Sequence, residues 1–256
     1  MIHGATVTPA IALVVIVLTV TPHRINRCFI EVVSFGFDLY FNVCYNRKMI
    51  FCTNKKNDIF LKELYDDSIN ELNEFYGINW KNNLPRLVVV KNRETINELK
   101  NKVTEDWVVG WAENKTVYVL DRENFEKESS HKYAPETYKA LIKHELSHLF
   151  FSILSNNQYK PVWFNEGFAI YTSGQNEFRA KPIEFKSFLS FYNEGGSPVY
   201  SEAGYVIEIL VKKFGKDIVL DFARRLPELK TEDQFSECFK TMFNLDLSYD
   251  SFNQLL

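Results

Sequence analysis

Strand-like sequence in this chain ends at Asp121 and helix-like sequence takes over from Pro135, and that segregation is the strongest constraint on what it can fold into. Before the divide, Leu84 to Val90 (LPRLVVV) is an apolar run of buried-strand length. Asp106 to Ala112 and Thr116 to Asp121 are β-rich runs joined by Glu113-Asn114-Lys115, the spacing of a hairpin with a short polar turn. Two helices are expected around the first strand, Asp58 to Tyr76, stopped by Gly77, and Arg93 to Lys102. The charged stretch Arg122 to Lys132 reads as a loop.

After the divide, Pro135 suits the first turn of a helix running to about Leu154, with Leu141, Ile142, Leu146, Leu149, Phe150 and Ile153 on one wide face. Further helices are expected over Val162 to Thr172, closed by Ser173-Gly174, and over Pro182 to Phe191, Val199 to Phe214, Asp217 to Leu226 and Glu232 to Phe243. Strands first and helices afterwards describe an α+β domain.

With 46% hydrophobic and 15% aromatic residues, the 256-residue chain has material for one substantial core. Residues 53–256 are expected to form that domain and residues 1–52 an apolar appendage. Pro9 to Val20 (PAIALVVIVLTV) is nearly unbroken in its apolar character, yet shorter than the roughly 20 residues of a membrane-spanning helix. It has the length of a signal-peptide core, but no Lys or Arg precedes it, and Arg24 and Arg27 follow it. Membrane association or export through this segment, an apolar element packed on the domain, and a leader that folds poorly all stay open, and so does the localisation. Net charge is −3 with both signs interspersed, so there is no basic footprint for nucleic acid. Cys28, Cys44, Cys52 and Cys238 form no Cys-x-x-Cys pair and suggest neither a disulfide framework nor a zinc knuckle.

The segment carrying chemistry is Lys143-His144-Glu145-Leu146-Ser147-His148. Histidines four apart on a helix project from one face, one turn apart, so both imidazoles reach a single metal ion about 2 Å from each nitrogen. Glu145 is turned about 100° from His144 around the axis, placing it beside the metal as a base rather than a ligand. Two surface histidines with a glutamate between them by chance would read the same way. The setting adds weight, because a second expected helix carries Trp163-Phe164-Asn165-Glu166-Gly167, and a catalytic zinc site needs a third protein ligand plus an open position. Glu166 can supply that ligand; Asn165 and Trp163 suit supporting and packing roles.

HELSH followed by WFNEGFAIY resembles the gluzincin branch of zinc peptidases, and within it the compact peptidase MA-like domains. The likeness extends through Tyr200-Ser201-Glu202-Ala203-Gly204-Tyr205 to Phe214-Gly215, and more faintly to Phe235-Cys238-Phe239 and Phe243-Asn244, so it covers roughly residues 58 to 245. It implies a zincin-like α+β fold with a small sheet and a helical C-terminal half. It also implies one Zn2+ held by His144, His148 and Glu166, Glu145 as general base, and hydrolysis of a peptide or protein substrate. Gluzincins commonly place a tyrosine or histidine at the developing oxyanion; Tyr200 and Tyr205 are the candidates here, with His131 a weaker one. Gly110-Trp111-Ala112-Glu113-Asn114 faintly resembles the Gly-x-Met-Glu-Asn sequence with which the large aminopeptidases hold a free amino terminus, although Ala112 stands where the methionine belongs. Aminopeptidase specificity through Glu113, a solvated hairpin turn at the same residues, and a non-catalytic zinc-binding module remain open alternatives, as does the oligomeric state.

Overall fold

The computed structural model describes residues 58–256; the expectations for residues 1–52 lie outside them. Asp58 caps the first helix, α1 (Ile59–Tyr76), by accepting from the Leu61 N–H at 3.2 Å, and Gly77 ends it in the left-handed conformation. Strand β1 (Arg86–Val90) and helix α2 (Arg93–Lys100) follow, the helix capped by Asn92. Next come β2 (Gly110–Glu113) and β3 (Thr116–Leu120). Asn114 and Lys115 both have positive φ, 49° and 56°, which makes the connection a two-residue turn of the kind that matches strand twist. The sheet order is β1-β3-β2: β1 runs parallel to β3 with Val88 beside Tyr118, and β2 is antiparallel to β3 at the edge.

The one-turn helix α3 (Phe125–Glu128) leads to α4 (Pro135–Leu154), which carries the histidine motif and starts on its proline. Helix α5 (Val162–Ser173), closed by left-handed Gly174, carries Glu166. It crosses α6 (Val199–Phe214) closely enough that two glycines are required. A Cβ on Gly167 would sit 2.6 Å from the Ala203 carbonyl oxygen, and one on Gly204 would sit 2.3 Å from Ile170 Cγ2. Helices α7 (Lys216–Arg225), α8 (Glu232–Phe243) and α9 (Tyr249–Asn253) finish the helical half. Phe164, Phe222, Phe235, Phe239 and Phe243 pack edge to face and stacked between them, all at 2% exposure or less. The architecture is α+β, a three-stranded sheet with a mostly helical remainder. Among the described residues no helix is long and apolar enough to cross a membrane.

Three stretches depart from the sequence expectation. Pro182 to Phe191 is not an α-helix; only Phe188–Ser190 forms a 3-10 turn. Its Phe185 and Phe188 have helical spacing, but the buried Glu202 carboxylate on α6 accepts from the N–H groups of Lys186, Ser187 and Phe188, and Asn253 pairs with both backbone groups of Phe185. Side chains thus take the backbone bonds that a helix would need. Asp106 to Ala112 narrows to a strand beginning at Gly110, because the Arg93 guanidinium donates to the carbonyls of Glu105, Asp106 and Val108 and gathers those residues into a loop. The expected loop Arg122 to Lys132 contains the turn of helix α3, anchored by buried Phe125.

Candidate metal centre

Two successive helices bring the centre together. On α4, Nε2 of His144 and Nε2 of His148 lie 3.1 Å apart, their rings edge to face. From α5, Oε2 of Glu166 lies 3.5 Å from the first nitrogen and 3.8 Å from the second. A tetrahedral zinc with ligand bonds of about 2.1 Å has ligand atoms about 3.4 Å apart, so these separations bracket the required edge. Glu166 Oε2 is buried and has no hydrogen-bond partner. A buried carboxylate oxygen that faces only two imidazole nitrogens beyond hydrogen-bond distance is costly unless a cation, a proton on an imidazole or a metal, completes it. The residues present therefore fit a divalent metal, with N, N and O donors of the kind zinc accepts. They form the only such group among the described residues.

The surroundings orient the donors. His148 Nδ1 lies 3.1 Å from Asn165 Oδ1; an amide oxygen only accepts, so Nδ1 carries the proton and Nε2 is left free for a metal. His144 Nδ1 is buried and has no such partner. Burial works against a charged His144, but its contact with Glu166 and the charges of Glu145 and Glu166 outweigh this and raise its pKa. Burial likewise pushes Glu166 up, and the neighbouring His148 and His144 pull it below the usual carboxylate range.

Glu145 is buried beside the triad and makes no side-chain hydrogen bond or ion pair among the described residues. Burial drives its carboxyl upward, against the opposing pull of His144, His148 and Lys100. Strand β2 backs onto it: a Cβ on Gly110 would come within 3.4 Å of Glu145 Cγ.

The two tyrosine candidates go to different places. Burial, followed by the charges of Glu166 and Glu145, pushes the Tyr200 phenol upward, so it shares the field of the triad. The Tyr205 hydroxyl instead reaches the carbonyls of Asn176 at 2.9 Å and Arg179 at 2.8 Å, and its ring lines a separate hollow with Lys181 and Leu255. His131 lies with Nε2 3.1 Å from the Trp107 carbonyl, in the loop preceding α4. Glu113 ends β2 at the exposed hairpin turn, its carboxylate 3.4 Å from the Asn114 amide.

Two cations near the triad were not evident in the sequence. Lys100 sits 4.5 Å from the Trp111 ring centre, where its charge acts on both Glu145 and Glu113. Arg179 donates to the Tyr200 carbonyl at 3.0 Å, and its charge acts on Glu166. Neither follows a motif; each lies near a helix end and is brought close by tertiary packing. No family model, no curated protein and no solved structure matches the chain.

Proposed function

We propose that this chain is a zincin-like, zinc-dependent metallopeptidase of the gluzincin type. The observation that supports it is the convergence of His144 Nε2, His148 Nε2 and the buried Glu166 Oε2 at 3.1 to 3.8 Å. Those three side chains would hold the ion. Zinc, when bound, supplies the Lewis acidity that acidifies water and polarises a carbonyl. Glu145 accepts the proton of the attacking water and returns it to the departing amine, a task matched by a carboxyl that burial has made more basic. Tyr200, with its phenol protonated, donates to the oxyanion that develops on the scissile carbonyl. An extended peptide substrate adds as a strand to β2, the sheet edge that packs beside Glu145.

The test is zinc content and peptide cleavage in wild type, Glu145→Gln and Glu166→Ala. Wild type is expected to hold one zinc and to cleave members of a broad peptide library. Glu145→Gln should keep the zinc and lose cleavage by orders of magnitude, and Glu166→Ala should lose both. Zinc uptake without cleavage in wild type would favour a binding module, and absence of stoichiometric metal would end the zinc reading.

A further inference from the structure

Behind the ligands, three hydroxyls join the helices that carry them. Tyr76 Oη on α1 lies 2.7 Å from Ser147 Oγ on α4, and Ser147 Oγ lies 2.8 Å from Thr172 Oγ1 on α5. Thr172 Oγ1 in turn lies 2.8 Å from the Phe168 carbonyl oxygen. Tyr76 and Ser147 are fully buried and Thr172 nearly so. Thr172 Oγ1 donates toward both Ser147 Oγ and the Phe168 carbonyl oxygen, sharing one proton between them, and Ser147 Oγ meets the Tyr76 hydroxyl, so the three hydroxyls and the carbonyl form one shared buried network.

The setting is apolar. The Tyr76 ring stacks against Phe150 and Phe168 at 5.8 and 6.0 Å. Buried bonds in such surroundings polarise one another, and losing a partner leaves an unmet polar group. The placement relative to the ligands is what gives the chain a consequence. Ser147 directly precedes His148, and Thr172 follows Glu166 on the same helix by less than two turns. Among the described residues, two side-chain hydrogen bonds join α4 to α5: His148 to Asn165 at the ligand end, and Ser147 to Thr172 farther along. Packing against α6 already holds α5 in place, and one bond to α4 adds a single point of alignment between the two helices. Two bonds, at Asn165 and Thr172 about two turns apart on α5, add a restraint on its rotation and its slide along α4.

We propose that the Tyr76–Ser147–Thr172 hydroxyl chain is a positioning device for the metal centre, holding α5 in the register that keeps the Glu166 carboxylate within reach of both imidazoles. This rests on the zinc reading of the site. Ser147 and Thr172 touch neither metal nor substrate and act through His148 and Glu166.

The experiment compares wild type, Ser147→Ala, Thr172→Val and Thr172→Ser. Thr172→Val keeps the shape and removes the hydroxyl, whereas Thr172→Ser keeps the hydroxyl. Zinc affinity is measured by chelator competition, ligand geometry by the visible absorption of the cobalt-substituted protein, and fold stability by melting of the metal-free form. Phe243→Leu, in the distant aromatic core of α8, serves as a control that destabilises without touching the chain. Ser147→Ala and Thr172→Val are expected to weaken zinc affinity about tenfold or more and to alter the cobalt spectrum. Thr172→Ser should stay near wild type, and Phe243→Leu should lower the melting temperature with affinity and spectrum intact. Wild-type affinity in Thr172→Val and Ser147→Ala, or an equal loss in Phe243→Leu at matched melting temperature, would overturn the positioning role and leave the zinc reading standing. A wild type that takes up no zinc would overturn both.

Discussion

Asn165 Oδ1 lies 3.1 Å from Nδ1 of His148, while the next residue along, Glu166, reaches to 3.8 Å from the other nitrogen of the same ring. Consecutive helical residues diverge by about 100°, so one dipeptide grips the imidazole from both sides, orienting it with one side chain and facing its other nitrogen with the next. Asn165→Ala is therefore expected to weaken zinc binding about ten- to hundredfold with the fold intact. Asn165→Asp, which retains the acceptor, should lose less. Chelator competition reads the difference, and unchanged affinity in Asn165→Ala would refute the orienting role.

Tyr200 and Tyr205 share a helix, yet they should fail in different ways. The Tyr205 hydroxyl is engaged by the Asn176 and Arg179 carbonyls, so Tyr205→Phe should cost about 1 kcal/mol of stability and leave kcat near wild type. The Tyr200 hydroxyl has no hydrogen-bond partner among the described residues and lies in the field of Glu166 and Glu145. Removing a donor from a developing oxyanion costs about 100- to 1,000-fold in kcat. That loss is expected of Tyr200→Phe, with zinc content unchanged. Steady-state kinetics paired with thermal melts separate the two, and a reversed pattern would exchange their roles.

Gly167 follows Glu166 and faces α6, where an added Cβ would meet the Ala203 carbonyl at 2.6 Å. Backbone does not step aside as a flexible side chain would, so Gly167→Ala has to push the two helices apart. Overpacking of this kind costs about 1–3 kcal/mol. Urea unfolding should show the midpoint falling at constant slope. A midpoint equal to wild type would mean the crossing of α5 and α6 is looser than its geometry implies.

What was legible in the sequence follows from which interactions are local. Helices α1, α4, α5 and α6, and strand β1, carry their own periodicity and their own stops, such as Gly77, Pro135 and Gly174, so they could be read directly. The His144, His148 and Glu166 grouping was legible because ligand spacing on a helix is a local property, and the three do converge. Pro182 to Phe191 was misread because its backbone donors are taken by Glu202, a residue on another element. The shortening of β2 hangs on Arg93 in the same way. No local pattern distinguishes Tyr200 from Tyr205, since where a hydroxyl ends up depends on the segment folded against it. Lys100, Arg179 and the Ser147–Thr172 bond are tertiary juxtapositions with no spacing rule to mark them.

On the proposed zinc reading, proton and metal compete for His144, and the competition fixes the sign of two opposite pH dependences. In the metal-free protein its pKa lies above the usual 6.5, because Glu166 and Glu145 outweigh the effect of burial. A raised pKa stabilises the fold fully below about pH 6.5 and progressively less as pH climbs through the folded-state value. Glu166, held below its usual 4.5 by the histidines, stabilises above about pH 4.5 and loses that contribution as pH falls. The metal-free pair thus contributes most between those two limits, and melting temperature should decline from pH 6.5 upward. Zinc requires the imidazole to give up its proton, so affinity should rise about tenfold per pH unit until His144 is neutral in the free protein. The melting shift caused by zinc should therefore grow over the same range in which metal-free stability falls. Melts at pH 5.5 to 8, with zinc and with chelator, test this, and His144→Asn should flatten the His144 part of the metal-free slope. A zinc-induced shift independent of pH would mean that no proton leaves His144 on binding, and that the imidazole is already neutral beside Glu166.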